Sequence, residues 1–275
     1  MANILKREKQ IAIIAALAEG SCIRSVERMT GTHRDSIMRL GVKVGQGCAR
    51  IFDEKVRNLD SSEIQIDELW GFIGKKQRHL KPEDGSSKGD VWTYTAVDPD
   101  SKLVAAYKVG KRDSLTANAF VADLSDRLKN RIQLSSDGLS AYAEAVELAF
   151  GADVDYGQIV KSYEAVESKA PERRYSPPAL VSIKKNSIIG NPNEALISTS
   201  YNERMNATTR HHVKRLARLT LAFSKKLENF EAAISLHFLY YNFAKFHRSI
   251  RMTPAMAAGI ERSPWTVADI LEMTL

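Results

Sequence analysis

Apolar residues in the first part of the chain recur every three to four positions, and further on the spacing shifts to strand-like runs. LKREKQIAIIAALAE (5–19) predicts an amphipathic helix stopped by Gly20. A second short helix fits Ile23 to Met29. Gly31 then marks a turn, and Thr32 is placed to cap a third helix from His33 to about Lys43, with Asp35 completing a capping box. Helix, glycine turn and capped helix make a helix-turn-helix pattern, although a plain three-helix packing module reads the same way.

From Glu63 the texture changes. IQIDELWGFIG (64–74), VWTYTAVD (91–98) and KLVAAYKVG (102–110) are β-branched and aromatic runs separated by turn-forming stretches such as KPEDGSSKGD (81–90). They predict three consecutive antiparallel strands. Ser114 caps a helix reaching about Lys129, RIQLSSD (131–137) is a short strand, and Leu139 to Phe150 is a helix. A further short strand falls near Gln158 to Val160. Residues 163–198 carry Pro171, Pro177, Pro178 and Pro192 without long periodicity and read as an irregular insertion. Two helices follow, about Ser200 to Ser224 and Lys226 to Phe246; the second carries core positions Leu227, Phe230, Ile234, Phe238 and Tyr241. Three strands followed by alternating helix and strand is the element order of a mixed α/β, ribonuclease-H-like sheet with helices on both faces.

Composition narrows the classes. A hydrophobic fraction of 44% with 27% charged residues is ordinary for a globular protein. The apolar stretch Ile11 to Ala18 is too short to span a bilayer and lacks a signal-peptide pattern, so the expectation is a cytoplasmic protein with no membrane role. Cys22 and Cys48 are too few for a disulfide framework or a structural zinc site. The net charge of +7 and pI near 9.3 suit a nucleic-acid partner without requiring one. Distribution says more. Residues 1–50 carry +5 and residues 200–251 carry +7, which leaves −5 for the rest. Two basic segments around an acidic middle suit a chain that grips a polyanion twice and keeps carboxylates between; solvated helix faces give the same pattern.

Those carboxylates are the candidate chemistry. Asp67 lies inside the first strand among Ile64, Ile66, Leu69 and Trp70, and Asp137 ends RIQLSS directly before Gly138. An aspartate in a strand built to be buried is costly unless paired or metal-bound. Glu203 opens the helix STSYNERMNATTRHHVKRLARL, where Asn206, Arg210 and Lys214 fall within about 60° of it at helical spacing. Met205, His212, Leu216 and Leu219 cluster on the opposite side. A carboxylate followed by an amide and two cations can hold metal and take phosphates beneath it. Glu68 is a rival ligand that strand alternation points to the opposite face. Arg173, Arg174, Lys184 and Lys185 are candidates to touch DNA, or charges of a solvated loop; the histidines carry no metal assignment.

EIQIDELWGFIGKK, QLSSDGLSAY, TSYNERMNATTRHHVKRLARLTLAFSKK and YYNFAKFHRSIRMTPAMAAG, in that order, resemble bacterial insertion-sequence transposases of the DDE class. The nearest resemblance is to the short-element family whose catalytic chain is sometimes made by translational frameshifting. It runs from about residue 4 to the C-terminus. In that family an aspartate precedes a tryptophan-bearing segment (Asp67 before Trp70), a second stands in an Asp-Gly pair (Asp137-Gly138), and the glutamate begins an ERxN helix (Glu203, Arg204, Asn206). A basic residue seven positions after the glutamate is common, and Arg210 fills it. One departure is the lack of cysteines for the N-terminal zinc finger that some relatives carry, which leaves end recognition to the helix-turn-helix.

The resemblance implies metal-dependent cleavage and strand transfer of DNA by a retroviral-integrase-like core. Asp67, Asp137 and Glu203 would hold two Mg²⁺ ions, with Mn²⁺ as a substitute. His33, Arg34, Ser36 and Arg39 on the recognition helix, with Asn206, Arg210 and Lys214, would contact double-stranded DNA at the terminal inverted repeats and the target. The expected organisation is a helix-turn-helix domain at 1–50, a linker at 51–62, a catalytic domain at 63–250 with the insertion at 163–198, and a tail at 251–275. Two element ends at once require a dimer or larger assembly on DNA. The rivals are a nuclease on the same fold that cleaves without joining, and a DNA-binding regulator without activity.

Overall fold

The computed structural model of the protein describes residues 5–85, 87–164, 179–217 and 219–275. Three helices come first: α1 (Arg7–Ala18), α2 (Ile23–Thr30) and α3 (Arg34–Lys55). Ile13, Val26 and Ile37, one from each, close a small core of their own. The predicted elements are all here, with differences that have physical reasons. His33 rather than Thr32 caps α3, its ring Nδ1 accepting the Asp35 N–H at 3.3 Å. Thr32 is buried instead. α3 also runs on past Lys43 to Lys55. The glycines of GVKVGQG look like a helix end but serve close packing: a Cβ on Gly45 would lie 2.2 Å from the Ala232 carbonyl oxygen, and one on Gly47 2.5 Å from the Thr274 Cβ. The second half of α3 buries Val44, Cys48, Ile51 and Phe52 in the main core beneath the sheet.

The sheet is built from β1 (Glu63–Ile73), β2 (Gly89–Val97), β3 (Val104–Gly110), β4 (Ile132–Ser136), β5 (Val154–Tyr163) and β6 (Leu180–Ile189). Their order is β3-β2-β1-β4-β5-β6. β1, β2 and β3 pair antiparallel, β4 joins β1 and β5 in parallel, and β6 returns antiparallel to β5. Helices α4 (Ser114–Arg127) and α5 (Ser140–Phe150) provide the crossovers, while α6 (Ser200–His212) and α7 (Leu227–Phe243) follow the last strand. The short α8 (Pro254–Ala257) and α9 (Val267–Thr274) end the chain, the latter with a capping box between Thr266 and Asp269. No helix among the described residues is long and apolar enough to cross a membrane.

Further expectations change, and Asp113, not Ser114, caps α4, its carboxylate accepting the Thr116 N–H at 2.9 Å. Part of the stretch read as irregular is strand β6, and β5 is longer than Gln158 to Val160. Most of β6 is exposed, so it has no apolar alternation to betray it. Pro171, Pro177 and Pro178, with Arg173 and Arg174, lie outside the described residues. α6 stops at His212, well short of Ser224. There the Gly20 turn packs against the His211 and His212 carbonyls, and the Arg210 guanidinium donates to the Leu216 carbonyl at 2.7 Å across the turn that follows. Lys214 therefore lies beyond the helix, and Leu219, expected on its buried side, is almost fully exposed with φ of 55°.

Candidate active site

The register of β1 and β4 places the first two carboxylates. Ile66 stands beside Ser136 in the parallel ladder, so the next residues along, Asp67 and Asp137, emerge side by side where β4 ends. One oxygen each from Asp67, Glu68 and Asp137 lies within 4.8 Å of the others. Among the described residues no other such group of acids, histidines or cysteines occurs.

α6 is fixed across β1 and β2 by Asn202, which the sequence did not single out. Its buried amide donates to the Gln65 carbonyl at 2.9 Å and the Thr95 carbonyl at 2.7 Å, and accepts from the Thr95 hydroxyl at 2.7 Å. That anchor sets the adjacent Glu203 on the wall of the same cleft. Asp67, Asp137, Glu203, Arg112, Lys161 and Tyr163 all line this cavity of about 510 Å³. Glu203 sits outside the tight group, accepting from the Thr199 hydroxyl at 3.0 Å and from the Lys161 ammonium. Asn206 faces inward, donating to Asp67 Oδ2 at 2.7 Å.

Glu68 corrects the expectation from alternation. It does turn away from α6, its Oε2 accepting from the α5 residue Tyr142 at 3.0 Å, while Asp67 meets α6 through Asn206. Yet its carboxylate still joins the acidic group, because the ladder ends at Ile66 and no strand beyond it separates the two faces. Arg112 clamps Glu68 Oε1 through Nε at 2.7 Å and Nη2 at 2.6 Å, with the guanidinium carbon 5.1 Å from the Trp92 ring centroid. Both Glu68 oxygens are thus engaged. Arg112 is a firmly held cation of the cleft, and nothing in its local sequence marks it out.

Crowding of acids shows in their protonation. Burial pushes the Asp67 carboxyl up to about 7, and the charges of Glu68, Asp137 and Glu203 add to it against the opposing bond from the Glu68 N–H. Burial likewise holds Glu68 above the ordinary carboxylate range, with Asp137 adding and Arg112 opposing. A site that strains to shed negative charge, and offers only hard oxygen donors, fits a divalent cation of the Mg²⁺ type.

Elsewhere, His33, Arg34 and Arg39 stand exposed on the first turns of α3, and Ser36, half-buried, accepts from Arg39 at 3.4 Å. Lys214 donates to the His211 carbonyl at 3.3 Å. Of the histidines, His237 is buried against Thr209 and pushed down to about 3 by that burial.

No protein-family model matches the chain, and no curated protein sequence does. Among solved structures, it is similar to a piggyBac transposase in a synaptic complex with hairpin DNA. The likeness has a TM-score of 0.40 and 11% identity, covering 98% of this chain and 69% of that one. At that score it stands as a distant likeness only.

Proposed function

We propose that the chain is a DDE transposase of the insertion-sequence type, with a ribonuclease-H-like core and an N-terminal helix-turn-helix. The observation that carries this reading is the meeting of Asp67 and Asp137 at the ends of adjacent parallel strands, with Glu203 on the wall of the same cleft. The strand order, three antiparallel strands and then two parallel ones, supports it.

Asp67, Asp137 and Glu203 are the residues that would hold the metal. When bound, a pair of Mg²⁺ ions supplies stabilisation of the entering and leaving oxygens in an in-line displacement at phosphorus. The chain's own groups do the rest. Asn206 orients the Asp67 carboxylate, and Asn202 fixes the helix that presents Glu203. Glu68 is retained by Arg112 and Tyr142 as a counter-charge, not as a ligand, and Arg112 faces the substrate phosphates from the cleft wall. Arg34 and Arg39 read the element end from α3, and Arg210 and Lys214 contact phosphate beyond the cleft.

Asp67→Asn, Asp137→Asn and Glu203→Gln test the assignment directly. Each keeps side-chain shape and removes the charge that holds a cation. Mg²⁺-dependent cleavage of DNA carrying the sequence that flanks the reading frame should be lost in each, with the circular dichroism spectrum unchanged. Near wild-type turnover in any one removes that residue from the metal site.

A further inference from the structure

Among the described residues two cations line the cleft, Arg112 and Lys161, and they are held differently. Arg112 is locked by a two-point bond to the buried Glu68 carboxylate and by the Trp92 ring. Lys161, on β5, reaches the cleft by a single ammonium contact to Glu203, with about half of the Glu203 side chain exposed. From this contrast we infer that Lys161 is a placeholder: its ammonium neutralises Glu203 in the metal-free protein and gives up the carboxylate when a divalent cation enters. The inference rests on the metal-binding reading of the cleft.

Three features make the exchange workable. Lys161 and the Thr199 hydroxyl both bond Glu203 Oε1. Thr199 is buried at the start of α6, so it keeps Glu203 in place after the lysine leaves. A lysine is a compact charge on a flexible stem and can swing away, where a forked guanidinium resists. Lys161 also lines the cavity shared by Asp67 and Asp137, so the released ammonium stays in the space that a substrate phosphate enters. The adjacent Val160 packs 3.2 Å from where a Gly138 Cβ would stand, which keeps this part of β5 beside Asp137. A cation that merely decorates the surface would be indifferent to metal; a placeholder competes with it.

Calorimetric titration of the DNA-free protein with Mn²⁺ reads that competition. Lys161→Met removes the competing charge and should tighten Mn²⁺ binding on the order of tenfold. Lys161→Arg keeps the charge on a side chain that yields less readily, so it should show no gain and bind Mn²⁺ as weakly as wild type or more weakly. In a Glu203→Gln background the gain from Lys161→Met should shrink, since the two side chains act on one ligand position. Unchanged or weakened Mn²⁺ binding in Lys161→Met overturns the inference. Asp67→Asn separates the two levels: if it binds Mn²⁺ as wild type does, the cleft is not the metal site and the functional reading fails as well. Loss of binding in Asp67→Asn together with no gain in Lys161→Met sinks the placeholder alone.

Discussion

In the absence of divalent ions, Asp67→Asn should make the protein harder to unfold at about pH 8, although the same change removes its proposed activity. The reason lies in where the carboxylate sits. Asp67 is largely buried beside Glu68 and Asp137, and its carboxyl is pushed up to about 7 from an ordinary 3.8. A carboxyl raised in the folded state contributes stability below its unfolded pKa and loses it as pH rises through the folded one. Here that loss accrues from about pH 4 to about pH 7. The interval from 3.8 to about 7, at about 1.36 kcal/mol per pH unit, corresponds to ~4 kcal/mol. An asparagine carries no charge and escapes the loss.

Its amide can also be accommodated. One Asp67 oxygen accepts from the Glu68 N–H at 2.8 Å and the other from the Asn206 amide at 2.7 Å. The Asn206 Oδ1 is buried with no hydrogen-bond partner among the described residues, so turning that amide over lets it accept from the new NH₂. Urea denaturation in EDTA, run for both proteins from about pH 4 to about pH 9, gives the test. The two stabilities should nearly coincide at the acid end and diverge in favour of the variant by several kcal/mol at the alkaline end. Millimolar Mg²⁺ should raise wild-type stability there and leave the variant unmoved. Parallel stability curves across the whole range would refute the reasoning, because they would mean Asp67 titrates alike folded and unfolded.

Further outcomes follow from the same geometry. Arg112→Ala leaves the buried Glu68 carboxylate without its strongest partner and should cost about 1–3 kcal/mol in denaturant unfolding, most at alkaline pH; unchanged stability would remove the clamp. Gly45→Ala forces a Cβ into the Ala232 backbone and should destabilise by at least about 1–3 kcal/mol, whereas at Gly31, with open space but φ of 62°, only the modest strain of a positive φ is expected. Arg34→Ala and Arg39→Ala should each weaken binding to the element end by about 1–3 kcal/mol and relax specificity at one base pair; equal weakening on random DNA would make them phosphate contacts instead.

What the sequence disclosed depended on how local the signal was. Asp67 and Asp137 stood out because an acid in a strand of Ile, Leu and Trp contradicts its surroundings, and the four-block resemblance gave Glu203 with them. The strands β1 to β4 were legible from β-branched runs, since their side chains meet a core. β6 was not, because an exposed strand on the sheet edge need not alternate. Glycine misled at Gly45 and Gly47, where it permits helices to touch and does not end one. Lys161, Arg112 and Asn202 were invisible for a different reason: each acts across a separation of more than forty residues, on partners that only the sheet order brings together. For Glu68 the sequence offers only alternation, which says where a side chain starts but not how far it reaches past the end of a neighbouring strand.

The most direct test of the central claim is a strand-transfer assay on a pre-cut DNA end carrying the sequence that flanks the reading frame. Wild-type protein in Mg²⁺ should join that 3′ end to target DNA, and Asp67→Asn, Asp137→Asn and Glu203→Gln should each give no joined product. Cleavage without joining by the wild type, or joined product from any of the three variants, would contradict the account.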